Sequence, residues 1–449
     1  PEYLWLGLLL DGFDDRKMGL QRIAAILKYI CDLKISLTSP LFSEILALDE
    51  KIQTSIYSCI QTSETAKSLS PLTVLFPYSK APIFASAFIN DEMDIQCRYE
   101  KLINVLKKMA DHQSEFSTDI RFCVVYFSIV SSHLCVQKNV IDELNIYAQI
   151  DHSDQRMRSI RPLVRSLEIT PAAYSLSHQQ YITEFWEKIS SMSECKPFGI
   201  EYTKDVEDSY VSSYSSFLKA IFEYFCDLYR ITNPLDKKML VLLGLATYSY
   251  KLFSEITDHN LYNSISGRTV IRIMIEDFIM MKYLLKMESE KPDIWIAYQS
   301  YGIGQLKLIV ERYLQMTKKP DKSHVDYKYL DIVVGSYGNK EFLNMDTTYF
   351  DKKSIRDKAI FVNEKALFDD YYDYDSSFEH GLWGAIRESA LLACDVPGHQ
   401  YHCVPDFMNA QHLKSVWYDA VMVMNKTIRV LEENFGLSDE LKGRMKEYE

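Results

Sequence analysis

Chain breakers are sparse in this sequence, and that sparseness does most to decide what it can fold into. There are 15 glycines and 13 prolines among 449 residues, about half the combined share of roughly 12% that is usual. Few breakers over so long a chain favour long helices. Hydrophobic residues make up 47% and charged residues 25%, a globular balance rather than a disordered one. At about 150 residues per domain the length suggests two to four domains, with ample chain for a real core. The expected fold class is all-α.

Helical spacing recurs along the chain. Ile23, Ile26, Leu27 and Ile30 form one apolar stripe, and RFCVVYFSIV (121–130) reads as an interior helix. Residues 68–89 carry three prolines and read as a long connection packed on the body, and 151–175 read as polar and turn-like at both ends. The segment 195–205 is the best boundary. It divides a helical N-terminal part (1–200) from a bundle (206–434), with a C-terminal tail at 435–449. Within the bundle, helices are expected at about 206–232, 236–257, 263–288, 292–316, 354–368, 370–393 and 404–434, with a turn at Asn233-Pro234. Trp417, Val421, Met424, Ile428 and Leu431 recur at steps of four and three. Such a seam suits packing inside the bundle, or alternatively a homodimer.

The net charge is -12, so no global basic field draws nucleic acid or anionic membrane. Nine cysteines, none in a C-x-x-C pair, suit free thiols in a reducing compartment. The opening PEYLWLGLLLDGFDD lacks a basic leader and does not read as a signal peptide. MLVLLGLA (239–246) is too short to span a bilayer, and the 270–285 run contains Arg, Glu, Asp and Lys. A cytoplasmic protein without membrane contact is expected. There is no Walker loop, no H-E-x-x-H, no G-x-S-x-G and no complete G-x-G-x-x-G.

The most informative segment is GRTVIRIMIEDFIMMKYLL (267–285). Apolar residues cover most of its circumference, so the helix should be buried. Yet Arg268, Arg272 and Glu276 stand at i, i+4 and i+8, on one face. Buried charges must be paired or hydrogen-bonded. Arg272 can pair with Glu276 along the helix, whereas Arg268 needs another partner. The stripe is either an ion network that registers the bundle or an oxyanion clamp, a role that suits the planar guanidinium. Residues 236–322 hold 13 Lys/Arg against 10 Asp/Glu, which mildly favours an anionic ligand.

A second stripe lies in DDYYDYDSSFEHGLWGAIRESALLAC (369–394). Tyr372, Ser376 and His380 are again at i, i+4 and i+8, and Gly384 would leave space beside the histidine. Histidine can trade a proton near neutral pH. Equally, it could be a satisfied packing residue. Ser376 lacks the elbow of a hydrolase nucleophile. The acids around Asp369–Asp375 read as N-terminal capping rather than as a Mg²⁺ site. Farther on, Cys394, His399, His402 and Cys403 place four soft ligands in ten residues. That invites zinc, but the spacing matches no standard site, so these read as loop residues and neither metal nor cofactor is assigned.

The Arg-x3-Arg-x3-Glu helix (Arg268, Arg272, Glu276), followed by Tyr-x3-Ser-x3-His-Gly (Tyr372, Ser376, His380, Gly381), resembles a prokaryotic all-helical domain family of unknown function. The resemblance spans roughly residues 206–434. Such domains resemble phage-defence and mobile-element helical domains and, more distantly, the HEPN ribonucleases, which cleave RNA without metal through Arg-x(4–6)-His. No arginine precedes His380 at that spacing, and Arg387 follows it. The resemblance therefore implies Arg272 paired with His380 across two helices. In that reading His380, Arg272 and Glu276 are catalytic, and Arg268, Tyr372 and Ser376 hold an RNA phosphodiester or a nucleotide. The protein would be a toxin-like or defence effector, a metal-independent endoribonuclease if it is an enzyme. The alternative is a non-catalytic sensor or interaction component of a defence system, with a protein partner and structural buried charges.

Overall fold

A computed structural model describes residues 1–61, 65–90, 92–169, 179–200, 202, 206–231, 236–320, 322–337, 345, 350–409 and 413–448. The Asn233-Pro234 turn lies outside them. The protein is almost entirely α-helical and divides into two compact units. One comprises Pro1–Phe198 with Ala393–Val404, and the other Gly199–Leu392 with Pro405–Glu449. The main-chain path therefore leaves the second unit for twelve residues, 393–404, and returns.

In the first unit the apolar opening run forms the helix Leu4–Asp11, buried from Leu4 to Leu10 on every side. It packs on Ile95–Ala110 and on Arg16–Asp32. The latter is capped by Asp15, which accepts from the amides of Lys17 and Met18, and it buries Ile23, Ile26, Leu27 and Ile30. RFCVVYFSIV falls in the buried helix Glu115–Val130. The 68–89 segment is less irregular than its prolines suggest, because Pro82 starts the helix Pro82–Phe88 where no amide donor is needed. Inside the 151–175 stretch Met157–Ile169 is helical, with Ile160 and Val164 buried. A polar node holds this unit together. Arg16 pairs with Asp119 at 2.8 Å, and Asp119 also accepts from Tyr147 Oη at 2.6 Å and lies 3.1 Å from His152 Nε2. Burial would raise the Asp119 carboxyl, but hydrogen bonds from His152 and Arg16 outweigh it and hold the carboxyl below the usual range.

The second unit is a bundle around the helix Ile265–Met287. That helix packs on Lys237–Asp258, Asp373–Glu379, Trp417–Phe435 and Ile355–Phe361. Trp417 is fully buried, ringed by Tyr210, Tyr214, Phe253 and Tyr262. The Trp417–Leu431 seam is buried within this unit, which uses it for intramolecular packing. Residues 435–449 include the helix Asp439–Met445, whose Leu441 and Met445 join the same core. The expected 404–434 helix begins only at Trp417. The expected 370–393 helix is broken into Asp373–Glu379, Trp383–Ser389 and the short strand Leu391–Cys394. This strand pairs antiparallel with Pro197–Phe198, Pro197 opposite Cys394, and is flanked on its other side by Cys403–Pro405. Strands this short carry no period-2 signal in a sequence.

Candidate functional site

The helix Ile265–Met287 starts at Ser264, whose hydroxyl accepts from the Gly267 amide at 3.0 Å. Gly267 is required there, since a Cβ would sit 2.2 Å from the Leu261 carbonyl oxygen. The tight entry sets the rotation of the helix, and with it the direction of the Arg268–Arg272–Glu276 stripe. Opposite lies a π-helical turn, Phe368–Tyr372, which runs into Asp373–Glu379. One extra residue per turn rotates the next helix about its axis and brings Tyr372 and Ser376 onto Arg272.

Arg272 is the centre of the arrangement. Its Nη2 donates to Tyr372 Oη at 2.7 Å, and its Nε donates to Ser376 Oγ at 3.0 Å. The same Nε lies 2.6 Å from Glu379 Oε2, and Nη1 lies 3.5 Å from Glu276 Oε2. Tyr372 Oη donates in turn to Glu276 at 3.2 Å, and the guanidinium carbon stands 4.7 Å from the Tyr372 ring centre. Burial, and then the Glu276 charge, push the Tyr372 phenol up to about 12, so it stays a donor at neutral pH. The Arg272 side chain is 15% exposed, and the two carboxylates about a third. Thus Arg272, Glu276, Tyr372 and Ser376 meet in one network.

Arg268 and His380 lie outside it. Arg268 is buried, donates to the carbonyls of Ser264 at 3.2 Å and Lys414 at 2.8 Å, and stands over the Phe378 ring. It also lies in the field of Asp375, a buried carboxyl on the facing helix. Burial raises that carboxyl to about 7 even though Arg268 pulls the other way. His380 follows the last residue of its helix and is exposed. Gly381, with φ +58°, then turns the chain. Among the described residues no hydrogen bond or ion pair joins the His380 ring to Arg272. Gly384 is exposed on the next helix, with open space around it. The partner that the i, i+4, i+8 stripe overlooks is Glu379. It stands seven residues after Tyr372 and three after Ser376, spacings that share the same face.

Further charges of the bundle are paired as well. Glu364 bridges Lys282 at 2.6 Å and Lys426 at 3.2 Å. Lys358, with no exposed surface, pairs with Asp351 at 2.7 Å. Asp277, beside Glu276, is half-buried, and loss of hydration raises its carboxyl to about 7 against the hydrogen bond from Ser249 at 3.1 Å.

In the first unit, Cys195, Cys394, His399 and His402 have ligand atoms all within 4.8 Å of one another. Three belong to the C-x4-H-x2-H-C run. The fourth is Cys195, about 200 residues earlier, and Cys403 is not in the group. Gln400 and Tyr401, between the two histidines, both have left-handed backbones, φ 55° and 51°. For non-glycine residues that costs on the order of 1 kcal/mol each.

Residues 239–398 match a domain family described as "family of unknown function (DUF5677)". The match covers the Arg272 helix, the Tyr372–His380 segment and Cys394. Comparisons with curated proteins and with solved structures return no match. Among the described residues no helix is long and apolar enough to cross a membrane.

Proposed function

We propose that this protein is a non-catalytic component that works by binding a protein partner, in the defence setting that the resemblance implies, and that its charged stripe is architectural. One observation carries the reading. The fork of Arg272 is already filled by Glu379, Glu276, Tyr372 and Ser376. A guanidinium neutralised by two carboxylates has little attraction left for a phosphodiester, because an incoming anion meets like charge. The exposed side chains of Leu382, Trp383, Phe407 and Met408 support a protein-binding role, since large exposed aromatics and methionines are enriched at interfaces.

The competing reading is metal-independent RNA cleavage, with His380 as general acid or base and Arg272 steadying the phosphate. The test incubates RNA and nucleotides with wild type, His380→Ala and Arg272→Met, and analyses product ends. The expected result is no cleavage by any of the three, with Arg272→Met lowering the melting temperature. Cleavage by wild type in chelator, lost in His380→Ala, would replace the proposed function with the nuclease.

A further inference from the structure

We infer that Cys195, Cys394, His399 and His402 form a closed, structural Zn²⁺ site that staples the 393–404 excursion onto the first unit. Two thiols and two imidazoles are the donor set that Zn²⁺ prefers. With Zn–S of about 2.3 Å and Zn–N of about 2.0 Å, the edges of a tetrahedron run from about 3.3 to 3.8 Å. The four ligand atoms, all within 4.8 Å of one another, need only small side-chain movements to reach it. Four protein ligands leave no open position, which marks the site as structural rather than catalytic.

The surroundings favour metal over a chance cluster. His399 Nε2 lies 3.1 Å from the Ser190 carbonyl oxygen and 3.0 Å from that of Ser193. Both are acceptors, so Nε2 carries the proton and Nδ1 keeps its lone pair for a cation. An imidazole oriented by carbonyls through its far nitrogen is the usual outer shell of a zinc histidine. His402 offers Nε2, which lies 3.1 Å from Cys195 Sγ. The His399 and His402 rings meet edge to face at 5.2 Å. Backbone pairing fixes the rest: Pro197 stands opposite Cys394, and the Cys394 amide donates to the His402 carbonyl at 3.0 Å. The left-handed pair Gln400–Tyr401 folds His402 back toward Cys394, and a bound cation gives that strained turn its purpose. The same two residues line a cavity with Tyr3 and Trp186, so the metal would also hold one wall of it.

Cys403 provides the discriminating control, because it belongs to the sequence motif but not to the cluster. Full-length protein, reduced and stripped of metal, is titrated with Co²⁺ and then with Zn²⁺. One equivalent of Co²⁺ should give the intense visible bands of a tetrahedral ion with thiolate charge transfer, and Zn²⁺ should displace it. Cys195→Ser and His399→Ala should each weaken Zn²⁺ binding by about 100-fold or more, and Cys403→Ser by less than about threefold. Should a ligand variant fail to fold, wild type alone decides: Zn²⁺ should slow maleimide labelling of Cys195 and Cys394 relative to chelator, but not of Cys403. The inference is overturned by less than about 0.1 equivalent of bound metal. It is equally overturned by equal losses in Cys195→Ser and Cys403→Ser, by labelling that ignores Zn²⁺, or by a Cys195–Cys394 disulfide in protein kept reduced. None of these results bears on RNA cleavage, which is read separately.

Discussion

Arg272 shows how one side chain can fasten two helices. Its partners come from its own helix (Glu276) and from the facing one (Tyr372, Ser376, Glu379). Since the carboxylates are about a third exposed, water screens each ion pair to about 1 kcal/mol or less. Losing the common partner of all four groups costs more than any one pair. Arg272→Met should destabilise the bundle by about 2 to 3 kcal/mol, and Glu379→Gln by about 1 kcal/mol or less. Urea unfolding of both variants checks the order; equal losses would contradict a shared hub. Asp277 makes a pH prediction. Its folded carboxyl is raised to about 7 by burial, so the folded state holds a proton that the unfolded state, with a pKa near about 4, releases. Stability must therefore fall as pH rises from about 4 to about 7. Asp277→Asn keeps an acceptor for Ser249 and removes the charge. It should raise the melting temperature at pH 8 and change it little at pH 5, and a gain independent of pH would refute the argument.

At the scale of elements, the sequence reveals helix bodies better than helix ends. Stripes such as Ile23–Ile30 and Trp417–Leu431 recur often enough to be read directly, and the Arg272 stripe marks its helix as a charged seam in an apolar cylinder. The stops are less legible. Gly381 ends a helix only because its backbone is left-handed, and the π-turn at Phe368–Tyr372 has no composition of its own. Glu379 escapes notice because a strict i+4 ladder points to His380. Cys195 escapes it because strand pairing, not spacing, brings it to Cys394. Two glycines test how the ends are made. Gly381 has open space but a positive φ, so Gly381→Ala should cost about 1 kcal/mol, all of it conformational. Gly267 sits against backbone with ordinary helical geometry. Gly267→Ala must displace the Leu261 carbonyl and should cost about 3 kcal/mol. Thermal or chaotrope unfolding that ranks the two the other way would mean that the helix entry yields more easily than its geometry implies.

For the whole molecule, the two units place their desolvated acids in opposite electrostatic settings. In the first, Asp119 is held ionised by His152, Arg16 and Tyr147. Its folded carboxyl lies below its unfolded value, so its contribution is complete at neutral pH and is lost as pH falls below about 4. In the second, burial raises Asp277 and Asp375 to about 7. Their contribution is complete in acid and is lost as pH climbs from about 4 to 7. Acid and alkali should therefore loosen different parts of the chain. Hydrogen exchange, corrected for the intrinsic pH dependence of amide exchange, reads this directly. Between pH 5 and 8, protection should fall in Lys237–Asp258, Ile265–Met287 and Asp373–Glu379, the helices carrying Ser249, Asp277 and Asp375. Over the same range Glu115–Val130, which carries Asp119, should hold steady. Below pH 4 the order should reverse, with Glu115–Val130 losing protection first. A uniform response at both ends would mean that the unit cores, rather than these carboxyls, set the pH dependence. Asp277→Asn distinguishes that case, because it should reduce the alkaline loss in the second unit by the share of Asp277, leaving that of Asp375, and leave the acid loss in the first unchanged.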